Sequence, residues 1–346
     1  MLYDSGRKGI IAGGNWILDY VKIIDKFPVE QSLANILNEY TSNGGAPYNV
    51  LIDLVKLGAT FPLEAIGLVG NDLNGDYIIN HCYNNGIDVK QLQTTDVTST
   101  SYTIVTTAQH TGKRTFFHNR GANALLNIEH FDFSISNAKI FHLGYLMLMD
   151  CLDEVCENNR TKASYVLENA KLNGLLTSVD LVSEDSDRFT SIIPPSLPYV
   201  DILFLNEFEA SRLSGVDMLE FINFEKMEKK CLEVFNRVFS LGVNEWIIIH
   251  RQEGIWAAHR KGEKLFQKSL SVPRKKVIGT NGAGDALAAG VLLGMHEDWC
   301  MKTCLGLGVA AAATSLSHAT CSEGVLPYKD CLMLAGIFDA SELNEY

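Results

Sequence analysis

The stretch best suited to chemistry is Gly279-Thr280-Asn281-Gly282-Ala283-Gly284-Asp285, followed by the apolar run Ala286-Leu287-Ala288-Ala289-Gly290-Val291-Leu292-Leu293. Small residues come first, then one carboxylate, then residues that read as a buried helix. Lys276-Val277-Ile278, just ahead, reads as a short strand. Glycines let an anion come close to the backbone. The first amides of a helix have no partner inside it, and with the helix dipole they form an anion site. Asp285 in that first turn puts a carboxylate beside the anion, which is unfavourable unless the pair serves a reaction. The reaction that fits is proton removal from an attacking hydroxyl by Asp285, while the amides of Gly282, Ala283 and Gly284 hold the transferring group. The plainer reading is a glycine turn capped by an aspartate.

The elements that must position this stretch alternate along the chain. Residues 139–144 and 175–180 read as buried strands with a helix centred on 163–170 between them, a βαβ unit that implies a parallel sheet. Further strands are expected at 8–15, 65–70, 201–206 and 245–250. His142 lies in an apolar strand and reads as a core histidine. The first strand ends at Asn15, with Asp19 close behind, where ligands of open α/β sheets bind. Gly44 and Gly45 precede Pro47, a helix start that runs to a stop at Gly58. Amides there lack partners inside the helix, and Asn49 can donate and accept at once. Asp72 reads as the cap of the following helix. Asn206 and Glu209 read on their own as an ordinary capping box. Arg251, in the turn that closes with Gly254, is within reach of a phosphate. The alanine run 309–316 reads either as a flank for adenine or as close helix packing. Residues 102–106 and 114–118 form a hairpin whose turn is 110–113. Paired with a strand at 17–25, it makes a small sheet outside the main one.

Bulk composition bounds the function. The chain has 346 residues, is 47% hydrophobic and 20% charged, and carries a net charge of −12. Such a balance supports a large core and disfavours nucleic acid or an anionic membrane as partner. No apolar run approaches the ~20 residues of a membrane span, and residues 1–8 do not read as a secretory signal. The eight cysteines form no Cys-x-x-Cys pair and read as reduced thiols of a cytoplasmic protein. No Gly-x-x-x-x-Gly-Lys-Ser/Thr loop occurs, and no Gly-x-Gly-x-x-Gly follows the first strand, so neither a P-loop kinase nor a dinucleotide enzyme is expected.

Five of these motifs, in this order, resemble the ribokinase-like (PfkB-type) carbohydrate kinases. Thr280 and Gly282–Asp285 match the C-terminal signature Asp-Thr-x-Gly-Ala-Gly-Asp; Gly279 stands where that signature begins with Asp. Gly44, Gly45 and Asn49 match Gly-Gly-x-x-x-Asn, Asn15 and Asp19 match Gly-Asn-x-x-x-Asp, and Asn206 with Glu209 matches Asn-x-x-Glu. Residues 65–75 resemble the family's Gly-x-Val-Gly-x-Asp-x-x-Gly. The resemblance implies a three-layer α/β/α sandwich with a mostly parallel central sheet and a small β lid. The core would be 1–15, 31–93 and 121–346, and the lid 16–30 and 94–120. It implies ATP-dependent phosphorylation of a primary hydroxyl on a sugar or polyol, with Asp285 as general base and Gly282, Ala283 and Gly284 as anion hole. Asn15, Asp19, Gly44, Gly45, Asn49 and Asn123 would bind substrate. Asn206, Thr280, Arg251 and Gly254 would bind nucleotide, and Glu209 would hold Mg²⁺ through water. In many members the lids pair in a homodimer. In potassium-activated relatives the Asp at the place of Gly279 helps bind the cation, so strong K⁺ activation is not expected. Two alternatives remain: a nucleoside kinase of the same fold, to which Trp16, Tyr20 and Tyr102 would lend an aromatic pocket, and a sugar-binding regulator without catalysis.

Overall fold

The computed structural model describes residues 6–221 and 223–336. Residues 1–5, 222 and 337–346 of the expected core lie outside them. The first third of the chain runs β1 (Ile10–Gly14), β2 (Ile17–Ile24), β3 (Ile36–Gly44), α1 (Ala46–Leu57), β4 (Leu63–Gly70), α2 (Leu73–Asn84) and β5 (Asp88–Thr95). Then come β6 (Tyr102–Ala108), β7 (Arg114–Asn119), β8 (Ile140–Leu146), α3 (Lys162–Leu172), β9 (Leu176–Leu181), α4 (Phe189–Ile192) and β10 (Ile202–Asn206). The remainder is α5 (Glu207–Ser214), α6 (Phe224–Ser240), β11 (Trp246–Arg251), β12 (Gly254–His259) and β13 (Lys264–Lys268), followed by α7 (Ala283–His296), α8 (Met301–Ser315) and α9 (Tyr328–Leu334).

Nine strands form one sheet in the order β13-β12-β11-β10-β9-β8-β1-β4-β5, parallel from β11 to β5 and antiparallel at β12 and β13. Successive side chains of a strand face opposite layers. Ile10 and Ala12 of β1 therefore enter the core shared with α1, α7 and α8, while Ile11 enters the core shared with α3 and α6. In β10, Ile202 and Phe204 face the first core and Leu203 and Leu205 the second. Burial on both faces explains why these strands read as continuous apolar runs. The alanine run lies within α8, where Ala310 and Ala311 are buried in the first core. There it packs helices closely. α1 begins after Gly45 with Pro47 in its first turn and stops at Gly58 in the left-handed conformation. Asp72 caps α2 by accepting from the Gly75 amide. His142 is fully buried in β8, hydrogen-bonded to Ser178 at 3.0 Å, and burial pushes it down to about 3.

The second sheet has the order β3-β2-β6-β7, with β2 and β6 parallel and the outer pairs antiparallel. β3 is a correction to the sequence reading, which left 31–43 in the core. Its first six residues are all exposed, so no alternation marks them as a strand. Pairing from Ile17↔Gly44 to Lys22↔Glu39 makes them one. A second correction concerns 276–278. Arg274–Lys276 forms a 3-10 turn behind Pro273, and the Ile278 amide donates to the Leu316 carbonyl at 2.8 Å. Ile278 is exposed and follows three cations, so it has no apolar face to bury in a sheet.

Candidate active site

The carboxyl ends of β8, β9, β10 and β11 open onto a cavity of about 500 Å³, roofed by the four-stranded sheet and floored by the first turn of α7. Asp285 lies in that turn, 3% exposed. Its carboxylate accepts from Asn49 Nδ2 at 2.7 Å and from the Tyr145 hydroxyl at 2.7 and 2.9 Å. Burial raises its pKa, and the bonds from Asn49 and Tyr145 oppose the rise by favouring the ionised form. Gly282 caps α7 with φ 74°, and a Cβ there would lie 2.6 Å from Cys321 Cβ. Both the left-handed backbone and the space call for glycine.

Asp19, on β2, faces the same cavity. Its Oδ2 accepts from Asn281 Nδ2 at 3.0 Å. Burial pushes it up to about 7, opposed by the bond from Asn281 and reinforced by the nearby Asp285 charge. A Cβ on Gly44 would lie 2.4 Å from Asp19 Oδ1. Gly44 thus makes room for the aspartate, and Gly45 alone of the two lines the cavity.

Asn15 and Asn123 are fully buried and stand behind the cavity wall. Asn15 Oδ1 accepts from the Tyr145 amide at 2.7 Å, and Asn123 bonds both the amide and the carbonyl of Trp16. They orient wall residues and do not present groups to the cavity.

Asn206 and Glu209 form the capping box in full. Asn206 Oδ1 accepts from the amides of Phe208 and Glu209, and Glu209 Oε2 accepts from the Asn206 amide at 2.9 Å. Yet both residues also line the cavity, with Asp180 of β9 nearby. Glu209 is pushed up to about 7 by burial, and Asp180 well above the carboxylate range by burial and then by the charges of Glu209 and Asp285. Two crowded, buried carboxylates are a fit for a divalent cation, which would supply the missing positive charge. Among the described residues no group of three or more His, Cys, Asp or Glu has metal-holding geometry. That donor set suits Mg²⁺ bound through water.

A second cavity of about 550 Å³ adjoins the first through Thr280, Ala283 and Gly284. Thr280 is exposed at the junction. Arg251 lines the second cavity, but its guanidinium is committed to the Met218 carbonyl and to Glu253 at 3.0 Å. Gly254 begins β12, paired with Lys268, and lines neither cavity. Trp16 is wholly buried, Tyr20 bonds Asn74 and packs against Tyr102, and none of the three lines either cavity. The aromatic pocket they were expected to lend a nucleoside is not built from them.

Sequence reasoning missed Tyr145, Asp180, His250, Arg114 and Asn281. Asp180 had a signal, since it ends a strand at the ligand edge of a parallel sheet. Tyr145 and Arg114 had none.

The pfkB family carbohydrate kinase pattern matches residues 14–327. The chain belongs to this family. It is 25% identical over 330 residues to the 5-dehydro-2-deoxygluconokinase of Clostridium beijerinckii, covering 93% of this chain and 91% of that one. Among solved structures, the ribokinase of Arabidopsis thaliana complexed with ribose and ATP superposes with a TM-score of 0.76 at 22% identity, covering 96% of this chain and 100% of the other. The nucleoside kinase of Methanocaldococcus jannaschii gives 0.71 at 19%, covering 95% and 99%. The ribokinase-like fold is therefore shared with proteins named for sugar and for nucleoside substrates. The chain is a carbohydrate kinase of the PfkB family, and no helix among its described residues is long and apolar enough to cross a membrane.

Proposed function

We propose that this carbohydrate kinase transfers the terminal phosphoryl group of ATP to a primary hydroxyl of a sugar or sugar acid held beneath the four-stranded sheet. The observation that carries this reading is the placement of Asp285. It lies in the first turn of α7, held by Asn49 and Tyr145, in the first cavity and directly after Ala283 and Gly284, which line both cavities. Asp285 takes the proton of the attacking hydroxyl. The hydroxyl oxygen bonds the terminal phosphorus as the bond to the bridging oxygen breaks, and the electron pair leaves with ADP. Amides at Gly282, Ala283 and Gly284 stabilise charge on the transferring group. Asp19 and Asn49 orient the sugar, and Thr280 and Asn206 lie along the nucleotide. Asp180 and Glu209 would hold Mg²⁺ through water; when bound it would neutralise phosphate charge.

Gly279 supports independence from K⁺. A Cβ there would lie 2.5 Å from the His318 carbonyl oxygen and 3.1 Å from Ala319 Cα, so this loop fills the space that an aspartate would need. Exposed Ile36, Leu37 and Tyr40 on edge strand β3 support a homodimer formed through the lid. The eight free cysteines support a reducing, cytoplasmic setting.

The test is Mg²⁺-dependent ADP release across a panel of sugars, sugar acids, polyols and nucleosides, 5-dehydro-2-deoxygluconate, ribose and fructose included. Sugar-dependent release is expected. Release driven only by nucleosides, or by nothing on the panel, overturns the reading.

A further inference from the structure

The Tyr145 hydroxyl stands against the carboxylate that must accept a proton. It lies 2.7 Å from Asp285 Oδ1 and 2.9 Å from Oδ2, so one phenol straddles both oxygens of the base. Burial and then the Asp285 charge push this phenol up, so it keeps its proton and donates it. Asn49 Nδ2 also bonds Oδ2, at 2.7 Å.

These distances are the ones an attacking hydroxyl must itself reach, about 2.6–3.2 Å, to give up its proton. Tyr145 lines the first cavity with Asp19, Asn49 and Asp285, and does not line the second. The phenol therefore meets Asp285 from the sugar side. A carboxylate that accepts from a phenol is a weaker base, because the bond favours its ionised form. A phenol and a sugar hydroxyl cannot both lie between the same two oxygens.

The backbone leaves the side chain as the part that moves. The Tyr145 amide donates to Asn15 Oδ1 at 2.7 Å, and the Asn15 amide donates to the Gly144 carbonyl at 2.9 Å. Both sides of this peptide are thus tied to Asn15. The ring stands at the wall of a cavity of about 500 Å³, which gives it room to turn.

We propose that Tyr145 is a gate on the catalytic base, its phenol covering the oxygens of Asp285 until the hydroxyl of a bound sugar takes its place. The inference rests on the kinase reading above and deepens it, by naming what keeps water from acting as the acceptor. Water at an uncovered Asp285 would give its proton to the carboxylate. Its oxygen would bond the terminal phosphorus as the bridging bond breaks, and ADP and inorganic phosphate would leave. The phenol both blocks and weakens the base against that reaction. A sugar held by Asp19 and Asn49 brings further contacts to the exchange, and water brings none. Displacing the phenol gives up a hydrogen bond to a charged group, so the gate also lowers apparent affinity for sugar.

The experiment compares Tyr145→Phe, which keeps the ring and removes the hydroxyl, with the parent. ATP hydrolysis without sugar should rise roughly tenfold, and KM for sugar should fall by a similar factor, since the bond that sugar displaces is gone. The acid limb of kcat/KM, which reports the free enzyme, should move to higher pH, because Asp285 loses a donor that favours its ionised form. The acid limb of kcat, which reports the sugar complex, should not follow. Asp285 is also faced by Asp53 of α1, Asp19 of β2, Asp180 of β9, the Cys321 thiol and, across Gly284, His250 of β11. All of these are common to parent and variant, so the shift reports the phenol.

Hydrolysis and sugar KM both within about twofold of the parent overturn the proposal. So does a kcat limb that moves together with that of kcat/KM, which would keep the phenol on the base during transfer. Either result, beside a parent that phosphorylates a sugar, leaves the kinase reading standing. A parent that phosphorylates none overturns both. If Tyr145→Phe does not fold, the parent's tyrosine ultraviolet difference spectrum on adding its sugar decides. Tyr145 is the one tyrosine lining the first cavity among the described residues, so a spectrum that sugar leaves unchanged overturns the proposal.

Discussion

The two sheets of this protein carry the active site by different means. The central strands of the nine-stranded sheet are buried on both faces: β1 is wholly buried, and β9 and most of β10 are too. The four-stranded sheet is buried on one face at most, and β3 and β7 are largely exposed. Asp285, Asp180 and Glu209 sit on or beside the first sheet. Asp19, Arg114 and His118 ride on the second. Asp285, Asp180 and Glu209 thus rest on the densely buried layer, while Asp19, Arg114 and His118 rest on the layer with fewer buried contacts.

Four substitutions break or sharpen this contrast. The largest effect is expected from Asp285→Asn, which removes the base while keeping size and the Asn49 contact. It should lower kcat by ~10²–10⁴ with an unchanged melting temperature, and near-normal turnover would remove Asp285 from the mechanism. Next comes Phe141→Ala in β8, a fully buried ring packed on Phe133 at 4.7 Å. It should cost about 3–5 kcal/mol in denaturant unfolding.

Asp19→Asn should act on stability with a definite pH dependence. A carboxyl whose folded pKa is raised favours folding most below its unfolded value of 3.8, and that contribution is lost as pH rises through about 7. The variant, neutral throughout, should therefore gain stability relative to the parent between pH 4 and 7. The gain should level off at roughly 1–4 kcal/mol while sugar affinity falls. A pH-independent difference in melting would show that Asp19 is not buried in the charge-poor setting described. The smallest effect belongs to Phe117→Ala, at a ring 52% exposed on β7. Unfolding should shift by no more than about 0.5 kcal/mol. A cost near that of Phe141 would mean that the lid is held as firmly as the core. Replacing K⁺ by Na⁺ should leave turnover unchanged, and a strong K⁺ response would show that the His318–Ala319 loop yields to a cation.

Legibility in the sequence followed the same division. The core strands announced themselves because two-sided burial demands unbroken apolar runs. The helix starts at Gly45, Asp72 and Gly282 were readable because a cap or a left-handed turn restricts residue type. β3 was not readable, since an exposed strand needs no pattern and takes its register from a neighbour. The partners of Arg251 were not readable for a related reason. Its sequence position beside a glycine turn is right for a phosphate contact, but Glu253 and the Met218 carbonyl hold it first. Asn15 and Asn123 carried the right types in the right places, yet Asn15 Oδ1 and both polar atoms of the Asn123 side chain bond backbone behind the wall.

The sequence by itself determined the local devices: the glycine loop, the helix that follows it, the single carboxylate in its first turn, and the alternation that forces a parallel sheet. Each depends on residues close along the chain, where backbone sterics and unpaired amides leave few choices. Only the tertiary structure decided that Tyr145 and Asn49, 140 and 236 residues from Asp285, hold its two oxygens. It alone brought Arg114 to Asn281 across 167 residues. Such contacts leave no periodic trace, because a hydrogen bond constrains where two side chains meet in space and not what lies between them.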